Sequence, residues 1–221
     1  MTATARDLIK TIRQDLTDDH EQDRFTPAIR AGDIPARFFP TMAKELYGIV
    51  TRDRDTFGWL KSRAAEPLLA TYFDAAAHFQ DYAAGKLLSF VAACEVPERD
   101  LADHPPHPGC QAFPSYLSWL AVHADPAAVI LAVTVNLAGW PAYCAAAATS
   151  LREIYGFTDD ACEFFDFFAA PMPGLEESTV TVIQAGIDAG HDVSNGLHQA
   201  RLLRAYEIMF WNSLADQSRS A

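Results

Sequence analysis

Sulfur is scarce in this chain and shows no pattern. Its four cysteines, Cys94, Cys110, Cys144 and Cys162, have no short paired spacing, so they read as reduced thiols filling the core of a cytoplasmic protein. Positive charge is also short. Seventeen Lys and Arg face 29 Asp and Glu, for a formal net charge of -12. Such a surface repels phosphate backbones, which excludes nucleic acid as a partner and disfavours anionic membranes. No apolar run reaches the roughly 18 to 20 residues of a membrane helix. The first residues, Met1-Thr2-Ala3-Thr4-Ala5-Arg6-Asp7-Leu8, hold no apolar signal core, and a cytoplasmic location is expected. There is no Gly-rich phosphate loop, no Gly-x-Ser-x-Gly elbow, no internal repeat and no low-complexity linker.

Apolar residues at helical spacing are plentiful. Half of the 221 residues are hydrophobic, enough for one domain, residues 1–221, with a full-sized core. The periodicity predicts a helix from Thr4 to about Leu16 and a second from about Asp23 to Ala31, stopped by Gly32. Asp33 and Pro35 are expected to open a third that ends near Asp53. Glu66-Pro67 starts a long one ending near Cys94. A proline-rich loop is expected from Val96 to Pro114, then a short helix from Ser115 to His123. Asp125-Pro126 opens an unusually long helix to about Tyr155, kinked at Pro141. Further helices begin at Asp159, resume after Pro171-Met172-Pro173-Gly174, and close the chain from about Asn195 to Ala215. Val129 to Val135 is β-branched, but its Pro start and Ala-rich continuation favour helix. The class is all-α.

The last of these helices carries Tyr206-Glu207-Ile208-Met209-Phe210-Trp211. Glu207 lies either on a narrow polar strip or inside an aromatic-walled pocket, where a carboxylate is costly unless paired or used. Glu45 and Asp53 share one helix, a little over two turns apart. Either could join Glu207, although Arg52-Asp53-Arg54-Asp55 also reads as a solvated charge run. Carboxylates in an apolar pocket can hold a protonated amine and later take its proton, because burial raises their pKa toward neutrality. Trp140, Tyr143, Tyr47, Tyr82, Tyr206 and Phe210 are candidate pocket walls for a flat or cationic substrate, or equally core packing. His104, His107 and Cys110 have a spacing that could bind zinc, but the prolines around them favour a stiff surface loop. His20, His78, His123, His191 and His198 form no cluster.

Arg24-Phe25 with Gly32, then Glu45-Leu46-Tyr47, Trp140-Pro141-Ala142-Tyr143, and the final Tyr-Glu-x-x-Phe-Trp together resemble the heme-oxygenase-like superfamily. That group includes the TenA/thiaminase II proteins, the cofactorless PqqC oxidase and the CADD-type diiron oxidases. The resemblance spans about residues 17 to 215. It implies one bundle of seven to eight helices around a small-molecule pocket. It also implies that Glu207 is the C-terminal catalytic glutamate, with Glu45 and Tyr47 near the aminopyrimidine site and Asp81 near a second carboxylate of the diiron branch. The thiaminase cysteine has no counterpart, since its region reads Asn136-Leu137-Ala138-Gly139-Trp140; Cys144 lies after that patch. The diiron pattern fails too. Seven residues beyond Glu45 stands Arg52, which repels cations, and the later ligand triplet falls on Pro171, Leu175 and Ser178.

The expected function is therefore a metal-free, cofactor-independent enzyme for a small amine or nitrogen heterocycle, acting in salvage or specialised-metabolite biosynthesis. Glu207 would transfer the proton, and Glu45 or Asp53 would anchor the amine. C–N hydrolysis and intramolecular displacement by an amine both suit such a site. A PqqC-like cofactorless oxidase and an inactive ligand- or partner-binding bundle are the other readings. The partners expected are a small-molecule substrate, further copies of the chain in a homo-oligomer, and a small protein at most.

Overall fold

Proline and glycine decide where most of the helices start and stop. The computed structural model describes residues 4–15, 22–134 and 136–220; His20 and Val135 lie outside them. Among the described residues the regular structure is entirely helical. The α-helices are α1 (Ala5–Asp15), α2 (Phe25–Ala31), α3 (Phe39–Arg63), α4 (Pro67–Ala93), α5 (Arg99–Ala102), α6 (Pro108–His123), α7 (Pro126–Val133), α8 (Asn136–Glu153), α9 (Asp159–Ala169), α10 (Leu175–Asp188) and α11 (Gly196–Ser220). A 3-10 turn, Ala36–Phe38, leads into α3. None of the helices is long and apolar enough to cross a membrane.

The helices outnumber the expected seven to eight among the described residues, and three stretches differ from the boundaries expected. Pro108 takes the first turn of α6, where its missing N–H costs nothing, and the His107 ring accepts the Gly109 N–H at 3.2 Å. The expected proline-rich loop is therefore shorter, with α5 inside it, and Pro114 sits within α6. The long helix expected from Pro126 is divided upstream of Pro141. Thr134 ends α7, its hydroxyl donating to the Leu131 carbonyl at 2.7 Å, and Pro141 lies inside α8. The third helix begins after Pro35 without a cap from Asp33. It runs past Asp53 to Arg63, because Thr56, Phe57 and Leu60 continue its buried face.

The long helices close a ring. α3 packs on α4, α4 on α9, α9 on α8, α8 on α11, α11 on α6, and α6 back on α3. α3 and α4 run antiparallel, since Lys61 reaches Asp74 at 2.7 Å while Arg54 reaches Asp81 at 3.4 Å. α10 leans on α4 and α7. Phe residues weld the ring: Phe39, Phe90 and Phe157 meet edge-on or tilted, and Phe164 meets Phe165 and Phe168 edge-on along α9. Each fully buried Phe contributes roughly 2 kcal/mol relative to exposure.

Candidate functional site

A cavity of about 390 Å³ opens between α3, α4, α6, α8, α9 and α10, with Val133 at the end of α7 also on its wall. Its walls are largely apolar: Ile49, Val50 and Phe57 from α3, Phe79 from α4, Phe113 from α6 and Phe168 from α9. Among the described residues that line it, Asp53 is the one Asp, Glu, Lys or Arg. It is 7% exposed, and its Oδ1 is buried without a hydrogen-bond partner among the described residues. Burial pushes its carboxyl well above the usual range, and the neighbouring Arg52 only partly opposes this. Two further lining residues have buried, unsatisfied polar atoms, Gln80 Oε1 and Trp140 Nε1. An acceptor, a donor and a carboxyl thus share one apolar cavity, which is how small-molecule sites are built. Tyr72, also on the wall, is pushed up to about 12 by burial, so it stays a neutral phenol.

Glu207 does not line this cavity. It is fully buried on α11, one turn from Arg204, whose Nη1 lies 2.9 Å from Glu207 Oε2. Burial raises its carboxyl to about 7 against the pull of that guanidinium. The pair sits on the bare backbone of Gly139, where a Cβ would come within 2.0 Å of Arg204 Nη1 and 2.8 Å of both Glu207 oxygens. Tyr143 stacks on Trp211 (5.0 Å, 13°), with the Arg204 guanidinium 5.9 Å from its ring centre. Phe210 is buried against Trp140. Trp140 is therefore the wall that the cavity shares with this layer.

Glu45 is also buried and also outside the cavity. Its Oε1 accepts the His107 backbone N–H at 2.8 Å and lies 3.0 Å from His104 Nε2. It fastens the segment before α6 to α3. Of the possible zinc motif, the His104 ring is engaged by Glu45, the His107 ring accepts the Gly109 N–H at the start of α6, and Cys110 is buried beside Phe210 with its thiol pushed up by burial. Tyr47 and Tyr206 are half-buried off the cavity, Tyr206 against Tyr116 at 5.1 Å. Tyr82 is 59% exposed and Asp81 pairs with Arg54 on the surface. Of the expected wall residues only Trp140 lines the cavity, and of the three expected carboxylates only Asp53 does.

Sequence reasoning missed Gln80, Arg204 and Gly139. Arg204 was signalled by its three-residue spacing from Glu207. Gln80 was signalled by falling two turns beyond Tyr72 and one beyond Ala76, on the same face of α4.

The arrangement has counterparts among solved structures. A TenA homologue from Pseudomonas syringae pv. tomato superposes with a TM-score of 0.74 at 10% identity, covering 98% of this chain and 96% of that one. A TenA family transcription regulator from Silicibacter sp. gives 0.71 at 11% identity, covering 94% and 96%. A domain of unknown function with a heme oxygenase-like fold, from Shewanella denitrificans, gives 0.68 at 12%, covering 96% and 88%. This chain has the heme-oxygenase-like fold. No protein-family model and no curated protein matches its sequence.

Leu175 and Ser178, which fall where the diiron branch carries ligands, do line the cavity. Neither is a metal donor. Among the described residues no three His, Cys, Asp or Glu side chains gather to hold a metal ion. All four cysteines are unbridged and buried, with raised thiol pKa values. Cys144 is raised well above normal by burial and then by Glu207, so it stays a protonated thiol.

Proposed function

We propose that the cavity is the site of a TenA-like enzyme acting on a small amine or nitrogen heterocycle, with Asp53 as its acid/base and anchoring group. The observation that carries this is Asp53 Oδ1, buried, unpartnered and set in an apolar wall. An amine entering as a cation would pair with the carboxylate and repay its desolvation. In C–N hydrolysis, water bonds to the carbon that bears the nitrogen and gives a proton to the carboxylate, the C–N bond breaks, and the carboxylic acid returns that proton to the departing nitrogen. In intramolecular displacement, the amine nitrogen bonds to a carbon of the same molecule, that carbon's leaving group departs with its electron pair, and the carboxylate takes the proton from the nitrogen. Glu207, held by Arg204 behind Trp140, stabilises the wall in this reading and touches no substrate. The fold shared with TenA homologues supports a small-molecule role, and the unbridged cysteines support a cytoplasmic one. We keep a homo-oligomer within the proposal, with Trp59, Trp119 and Val122 exposed on α3 and α6 as its apolar surface.

The test is an ammonia-release assay over a panel of aminopyrimidines and other primary amines. Asp53→Asn is expected to lose at least about 100-fold of turnover, while Glu207→Gln keeps most of it. Full activity in Asp53→Asn removes the assignment. Binding without turnover in the wild type leaves a ligand-binding bundle instead.

A further inference from the structure

The cavity is long, and its two ends differ. Leu68 and Gln80 both line it from α4, twelve residues apart, or about 18 Å along the helix. At the Leu68 end the wall reaches solvent mostly as hydrocarbon, with Thr71 and Ser178 as its exposed polar members. Leu68 is 42% exposed and Met172 38%, with Leu175 beside them. Met172 is held out by Pro171 and Pro173, ahead of Gly174 in the left-handed conformation (φ 80°). Exposed apolar side chains at the rim of a cavity mark a surface that something apolar covers. At the Gln80 end stand the unsatisfied groups, Gln80 Oε1 and Trp140 Nε1, with Asp53 on the facing stretch of the antiparallel α3. Between the two ends lie Ala75, Ala76 and Phe79 on one side and Val182 on the other, all without charge.

A compact heterocycle would satisfy the inner end and leave the outer half empty. We infer that the ligand is an amphiphile, with an amine head at Asp53, Gln80 and Trp140 and an alkyl chain lying between α4 and α10 toward Leu68 and Met172. This rests on the reading of Asp53 given above and adds the chain. The ammonium donates to Asp53 and to Gln80 Oε1. Trp140 Nε1–H serves an oxygen adjacent to the nitrogen, as in an amino alcohol or an amide. The chain replaces water along the hydrocarbon wall.

Isothermal titration of the full chain with butylamine, octylamine, decylamine and decanol, below their aggregation limits, tests both parts. Affinity is expected to rise up to roughly fourfold per added methylene. Decylamine should bind at least tenfold more tightly than decanol. Met172→Glu should weaken decylamine at least tenfold and leave butylamine unchanged. Asp53→Asn should weaken every amine at least tenfold and leave decanol unchanged, and Gln80→Leu, which keeps the charge on Asp53, should weaken the amines less. If butylamine binds through Asp53 and chain length adds nothing, the chain is refuted and the amine site stands. If decanol matches decylamine and Asp53→Asn changes neither, the head is refuted, and the proposed function with it.

Discussion

Asp53 on α3 and Glu207 on α11 are both buried carboxylates that hold their protons unusually tightly, and they differ in what stands opposite them. Glu207 faces a guanidinium at 2.9 Å and the backbone of Gly139. Each has one buried oxygen without a hydrogen-bond partner among the described residues, Glu207 Oε1 and Asp53 Oδ1, but Asp53 lines an apolar cavity and has no ion-pair partner among the described residues. Burial alone therefore does not mark a site. A buried acid that already owns a counter-charge is part of the framework, because separating the pair leaves an uncompensated charge. A buried acid without one retains a proton, or waits for a cation from outside.

The comparison breaks first at the Glu207 end. Arg204→Met removes the cation and should cost roughly 3–5 kcal/mol at pH 8, read by chemical denaturation. Gly139→Ala should cost a similar amount, since its methyl must displace Arg204 from Glu207. Asp53→Asn, by contrast, leaves nothing stranded and should be neutral or stabilising. If Arg204→Met proves harmless, the pair is not the framework element described here.

The second test is pH. The carboxyl of Glu207 has a folded pKa of about 7 against an ordinary 4.5. The folded state binds its proton more tightly than the unfolded state does. Stability is therefore highest below pH 4.5 as far as this group is concerned. It falls as pH rises from 4.5 to 7, by about 3 kcal/mol in all. Glu207→Gln should flatten that decline. Asp53 is shifted in the same direction and should add to it, so Asp53→Asn removes the remainder. An unchanged slope in both variants would mean that neither acid is as buried as its surroundings indicate.

Glu45 supplies the third carboxylate and a smaller effect. Glu45→Ala leaves the His107 N–H and the His104 ring without their acceptor and should cost about 2 kcal/mol. Amine binding should be unchanged. Lost binding with intact stability would return Glu45 to the substrate.

These three acids show how far the sequence could be read. The fold was legible because proline and glycine punctuate it and the motif order resembles that of heme-oxygenase-like proteins. Asp53 was legible in part. It falls on the stripe Leu46, Ile49, Val50, Phe57 and Leu60, spaced for one helix face, while its neighbours Arg52, Arg54 and Asp55 disguise it as a surface run. Glu207 was left between a polar strip and an aromatic pocket, because the partner three residues earlier that accompanies its burial, Arg204, was overlooked. Glu45 could not be placed, because its partners come from a loop some sixty positions away whose course no local pattern dictates. The same holds for Tyr82. An aromatic beside an acid suggests a pocket, but which face of α4 meets the cavity depends on where α9 and α10 lie.

Tyr82 and Asp81 therefore give the smallest and most discriminating prediction. Tyr82 packs on Phe167 at 5.3 Å and lies under Lys86 at 4.9 Å, but most of it faces water. Asp81 meets Arg54 at 3.4 Å with both side chains exposed. Contacts of this kind contribute from nothing to about 1 kcal/mol. Tyr82→Ala and Asp81→Asn should each shift stability by less than about 1 kcal/mol and leave amine titrations unchanged. Their neighbour Gln80, on the cavity side of the same turn, should weaken amine binding when replaced by Leu while leaving stability nearly intact. One turn of one helix would then separate a surface pair from a ligand contact, and a ligand-binding defect in Tyr82→Ala would show that α4 is rotated from the face assigned here.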